Sequence, residues 1–88
     1  MRHIIFGENK NIIGATIQNR RRSVGLSQAD LAAKMQTMNV NIDQQMISRI
    51  EHNCRQVTDY EFACFCLCLN ISPAEMLESF YKSIQDAN

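Results

Sequence analysis

The sequence predicts an all-α chain of five short helices in a single domain. Two observations carry this. Three segments repeat one helix-start signature: Ser27-Gln28-Ala29-Asp30, Thr58-Asp59-Tyr60-Glu61 and Ser72-Pro73-Ala74-Glu75. In each, the hydroxyl can accept from an orphan N–H of the first turn, and the acid three residues on can reach back to the cap's own N–H. Apolar residues frame each cap, Leu26 with Leu31, Val57 with Phe62 and Ile71 with Met76, as a hydrophobic staple requires. The second observation is composition. One proline and three glycines in 88 residues argue against a loop-rich β fold.

The elements follow in order. Ile4-Ile5-Phe6 reads as extended. The first helix reads from Asn11 to Val24, with Ile13, Ile17, Arg21 and Val24 on one face, and Gly25 ends it. The second runs from Gln28 to about Met35 and buries Leu31, Ala32 and Met35. Gln36 to Ile42 is polar, contains β-branched residues and two asparagines, and reads as a loop. Asp43 or Asn41 caps a third helix that runs to about His52, with Ile47 and Ile50 inward. The fourth spans Asp59 to Leu69, with Phe62, Phe65, Cys66 and Leu69 inward. The fifth starts at Pro73, where a missing N–H costs nothing, and continues to about Gln85. Its apolar stripe is Met76, Leu77, Phe80 and Ile84.

A hydrophobic fraction of 45% is ordinary for a folded chain. No run approaches the ~20 apolar residues of a membrane span, and Met1 to Asn11 does not read as a signal peptide. Net charge is zero but unevenly placed. Residues 1–55 hold eight Lys/Arg against four acids, and residues 56–88 hold one against five. A basic half keeps a polyanionic partner open. The four cysteines, at 54, 64, 66 and 68, read as reduced thiols in a cytoplasmic protein. Cys64 and Cys68 share a helix face, but structural zinc usually takes four ligands and the set is short, so no metal or cofactor is expected. Redox sensing is the remaining alternative to simple packing. No nucleophile motif accompanies His3 or His52, so no enzyme is expected.

From residue 12 to about residue 78 the chain resembles a phage-repressor/Cro-type helix-turn-helix domain of the xenobiotic-response-element class. The resemblance rests on Ile13-Gly14, Ile17, Arg21, Gly25-Leu26-Ser27-Gln28, Leu31-Ala32 and Met35. It continues in Ile47-Ser48-Arg49-Ile50-Glu51, Pro73 and Met76-Leu77. It implies a five-helix lambda-repressor-like DNA-binding domain with a core at about 12–78 and a tail, 79–88, available for dimerisation. It implies an ion pair between Arg21 and Glu51; the alternative is two unrelated surface charges. It also implies that the third helix reads base edges in the major groove.

The residue types agree with that role. Glutamine can grip adenine through N6 and N7, and arginine can grip guanine through O6 and N7. Gln44, Gln45, Ser48 and Arg49 are the expected base readers; the alternative is a solvated helix face. Gln28 matches a phosphate-contacting position that the third helix clamps, and Arg55 and Asn41 are further phosphate candidates. Arg20 and Arg22 read as solvated, with a phosphate contact as the alternative.

The chain departs from the family at the turn between helices two and three, which is lengthened at Gln36 to Ile42. Either Met46 packs under Met38 or Val40, or Asn39 and Asn41 reach the DNA backbone. Phe80, Tyr81 and Ile84 are candidate dimer contacts; the alternative is that the tail folds back over Ile4, Ile5 and Phe6. The expected function is a sequence-specific transcriptional repressor that binds near-palindromic double-stranded DNA as a homodimer. The rivals are a protein-interaction module of the same fold, and an antitoxin-like regulator whose acidic C-terminal half binds a protein partner.

Overall fold

The computed structural model describes residues 5–86, with side-chain placements for residues 7–85. Among the described residues every regular element is helical: a short 3-10 helix at Ile5–Glu8, then α1 (Gly14–Ser23), α2 (Gln28–Thr37), α3 (Gln44–Glu51), α4 (Asp59–Leu69) and α5 (Pro73–Asp86). The expected extended start is corrected, since residues 5–8 curl into a 3-10 turn. Ile4 and the side chains of Ile5 and Phe6 lie outside the described residues. None of the described helices is long and apolar enough to cross a membrane.

The first helix begins later than its apolar pattern suggests. Asn11 stays outside it and turns its Oδ1 toward the first turn, accepting from the N–H groups of Ile13 (3.0 Å) and Gly14 (2.7 Å). Val24, expected inward, is 43% exposed as the helix turns off. Gly14 is where α1 meets the end of α3. A Cβ there would collide with the Ile50 carbonyl oxygen and crowd the Glu51 Cα at 3.2 Å, so only glycine permits this approach.

At the other helix starts, the Ser27–Asp30 and Thr58–Glu61 capping boxes are complete. The third is not. Ser72 Oγ accepts from the Glu75 N–H at 3.1 Å, but the Glu75 carboxylate takes the hydroxyl at 3.2 Å. Asp43, not Asn41, caps α3, accepting from the Met46 N–H at 2.8 Å.

The helix ends share one device. Gly25, Asn39, Asn53 and Asn70 follow α1 to α4, each at positive φ. In each case the next residue's N–H returns to a carbonyl five positions back: Leu26 to Arg21, Val40 to Met35, Cys54 to Arg49 and Ile71 to Cys66. These are four Schellman closures. Each satisfies carbonyls the helix leaves open and sends the chain off at a sharp angle.

The expected loop at 36–42 is also shorter than it reads. Helix α2 continues to Thr37, and the Gln36 side chain donates to the Ile42 carbonyl at 3.0 Å, bracing the turn. Val40 and Ile42 are buried in the main core, alternating with exposed Asn39 and Asn41. The expected satellite cluster is not separate from the core. Val40 belongs to the core instead of a satellite cluster, Met38 sits beside Cys68, and Asn39 ends α2. The core gathers Ile13 and Ile17 of α1, Leu31 and Met35 of α2, Ile47 and Ile50 of α3, Phe65 and Leu69 of α4 and Met76 of α5.

Candidate nucleic-acid interface

Helix α3 is sharply two-faced because its apolar residues recur three apart. Ile47, Ile50 and Glu51 are buried, while Gln44, Gln45 and Arg49 are exposed. At about 100° per residue, Gln45 and Arg49 stand nearly opposite Ile47, with Gln44 and Ser48 toward one flank. Ser48 is half-buried, and its carbonyl oxygen lies 2.7 Å from His52 Nδ1. The exposed face therefore carries two amides, each able to pair with a planar acceptor–donor edge, and a guanidinium able to pair with two adjacent acceptors.

The helix is held at its C-terminal end by Glu51. Its side chain is 0% exposed and that of its partner Arg21 is 8% exposed. Arg21 Nε donates to Oε2 at 2.7 Å and Arg21 Nη2 to Oε1 at 3.0 Å, a forked pair. Gln28 Nε2 donates to the same Oε1 at 3.0 Å, and Arg21 Nη1 donates to the Leu26 carbonyl. Burial pushes the Glu51 carboxyl up, but the bonds from Arg21 and Gln28 prevail and hold it below its ordinary value. One carboxylate thus ties α1, the start of α2 and the end of α3 together. Gln28 is half-buried at the N-terminus of α2 and keeps its amide oxygen and a second N–H for another contact.

Arg55 is a correction. Its Nη1 and Nη2 each donate at 3.0 Å to Glu61, and Nη1 also donates to the Gln56 carbonyl. Its hydrogen bonds to Glu61 are the main reason that carboxyl is held below its ordinary value. A guanidinium forked onto a buried carboxylate is a structural tie between the α3–α4 connection and α4. Arg20 is a second correction. It donates to the Leu69 carbonyl (2.9 Å) and the Asn70 carbonyl (2.6 Å), closing the end of α4. Asn41 and Arg22 are exposed.

The N-terminal segment is clasped beside α3 by a pair of asparagines that the sequence analysis did not single out. Asn53 Oδ1 accepts from the N–H groups of Lys10 (2.8 Å) and Asn11 (3.2 Å), and its Nδ2 donates to Asn9 at 2.6 Å. Asn11 Nδ2 donates to the carbonyls of Ile50 (3.0 Å) and Arg55 (2.9 Å). The available signal was position: asparagine just past a periodic run marks a helix end. At the far end of the chain, Phe80 and Ile84 are half-buried within the single chain, so they are not the bare stripe the pattern implies; Tyr81 is exposed. Phe80 borders a groove with Asn11, Ile12 and Ala15. Among the described residues, no three His, Cys, Asp or Glu side chains gather as a metal site.

No family model, curated protein or solved structure matches the chain.

Proposed function

We propose that this chain is a sequence-specific DNA-binding transcriptional regulator of the lambda-repressor-like, Cro-type helix-turn-helix class. It acts as a repressor, placing α3 of each protomer of a homodimer in the major groove of a near-palindromic operator. The observation that carries this reading is the outward face of α3. Gln44, Gln45 and Arg49 are exposed together on a helix whose other face is locked into the core by Ile47, Ile50 and Glu51. A rigidly anchored helix can present base-reading side chains in fixed register, whereas a loosely held one cannot. Gln28 and the first-turn amides of α2 would meet a phosphate on one side, and Asn41 another. One such module covers few base pairs, which is why the reading includes a dimer.

Selection of bound duplexes from a random-sequence pool by the purified chain tests it. Enrichment of one motif with two half-sites about one helical turn apart supports the reading. A pool that stays unenriched at low salt overturns it.

A second reading, a protein-interaction or antitoxin-like module, is favoured by the outward face of α4. Tyr60 is 60% exposed and Leu67 is 69% exposed there. A partner captured through that face, by a chain without affinity for any duplex, would replace the DNA reading.

A further inference from the structure

On the flank where α4 packs against α2, two sulfur atoms meet outside the face discussed above, and a third stands one helical turn away. The Cys68 thiol lies 3.5 Å from Met38 Sδ and donates to it. Cys64 precedes Cys68 by one turn, so the two thiols stand only ~40° apart around the helix. Both are half-buried, and Met38 is 36% exposed, so the cluster is anchored at its base and open at its rim. Cys66 points elsewhere, into the core. Met38 is the residue on which α2 turns toward α3.

We propose that Met38, Cys64 and Cys68 form a binding site for a soft monovalent metal ion of the Cu(I) class. Thiolate and thioether ligands select Cu(I), and three sulfurs without a carboxylate or imidazole suit it better than zinc, whose structural sites usually take four ligands. The i, i+4 placement is the one helices use to present two ligands to one ion. Two sulfurs bound ~2.3 Å from a shared ion stand on the order of 4 Å apart, close to the separation of Cys68 and Met38. Burial pushes the Cys68 thiol up, and the nearby Lys34 ammonium opposes that. Each thiol that binds gives its proton to solvent, and the ion keeps its oxidation state. Because Met38 opens the connection to α3, an occupied site would tie α4 to the start of that connection.

The test is anaerobic titration of the reduced full chain with Cu(I), supplied as its acetonitrile complex, in competition with a chromogenic Cu(I) chelator and without DNA. The expected result is one tightly held ion per chain with near-ultraviolet thiolate-to-metal absorption. Cys54→Ser should leave this unchanged, since that thiol is exposed just past α3, where it donates to the His52 carbonyl. Cys64→Ser and Cys68→Ser should each abolish it. Met38→Leu, which conserves volume and removes only the thioether, should weaken it at least tenfold with the helical circular dichroism intact. Wild-type competition by Met38→Leu, or retention of the ion by either serine variant, overturns the site. So does a wild-type chain that yields every added ion to the chelator. None of these outcomes depends on whether the chain binds DNA.

Discussion

Glu51 receives three hydrogen bonds from two other helices, and a carboxylate without water depends on all of them. Arg21→Met should leave it buried with no paired cation and destabilise the fold by about 3–5 kcal/mol. Adding Glu51→Leu should recover most of that, read as the urea midpoint at pH 7. Because folding lowers the Glu51 pKa, the stabilisation is whole above the ordinary carboxylate value of about 4.3 and is lost as pH falls below it. The double variant should therefore lose less stability on acidification than the wild type. Single and wild-type midpoints that coincide would show the pair to be inert. Arg55→Ala belongs to the same class: it should lower the melting temperature by freeing Glu61, where a phosphate ligand would leave melting untouched. The Arg21 pair was legible because the family resemblance implied it and because a lone arginine on an inward face needs a partner. The Arg55 pair was not, because Glu61 was already assigned to its capping box. It serves both, with Oε1 accepting from Thr58 N–H and from Arg55, since a carboxylate offers about four acceptor sites.

At the level of the helix, the capped starts were readable, as were the ends at Gly25 and Leu69, while the start of α1 and the end of α2 were not. Hydroxyl–acid spacing announces a cap within four residues, and the structure places N-caps at Ser27 and Thr58 with complete boxes. The ends at Asn39, Asn53 and Asn70 depend on a left-handed residue, a role asparagine fills less conspicuously than glycine. The lengthened turn was misread for that reason: α2 ends later than its apolar pattern, and Val40 and Ile42 are drawn into the core. Two of these asparagines should respond differently to one substitution. Asn39→Gly should be neutral or mildly stabilising, because glycine takes positive φ freely, while Asn39→Ala should cost about 1–2 kcal/mol. Asn53→Gly should destabilise despite the relieved backbone, because it removes the clasp on Asn9, Lys10 and Asn11. Thermal unfolding of the three variants checks this. An Asn53→Gly protein as stable as Asn39→Gly would show the clasp to be idle.

Across the whole molecule, the basic half is less basic toward a partner than its count suggests. Arg20, Arg21 and Arg55 direct their guanidinium groups into the fold, leaving Lys10, Arg22, Lys34 and Arg49 among its exposed cations. Affinity for random duplex should accordingly be weak, with a shallow salt dependence because few phosphates are neutralised, so that the proposed specificity rests on base contacts and on pairing two copies. The sequence placed the dimer contact on Phe80, Tyr81 and Ile84. With Phe80 and Ile84 half-buried in one chain, Tyr81 is the residue best exposed for it. Tyr81→Asp should leave folding intact and convert the proposed dimer to monomer in sedimentation at tens of micromolar, with a matching loss of operator affinity. A wild-type chain already monomeric there would remove the tail from the interface.

The central claim is that α3 reads bases, and its most direct measurement compares Gln44→Ala and Gln45→Ala with wild type on the selected operator and on random duplex at one salt concentration. At least one of the two should lose about 1–3 kcal/mol on the operator and almost nothing on random DNA, so that discrimination falls while background binding stays. If both variants keep wild-type discrimination, the outward face of α3 is not the reader and the account is wrong at its centre.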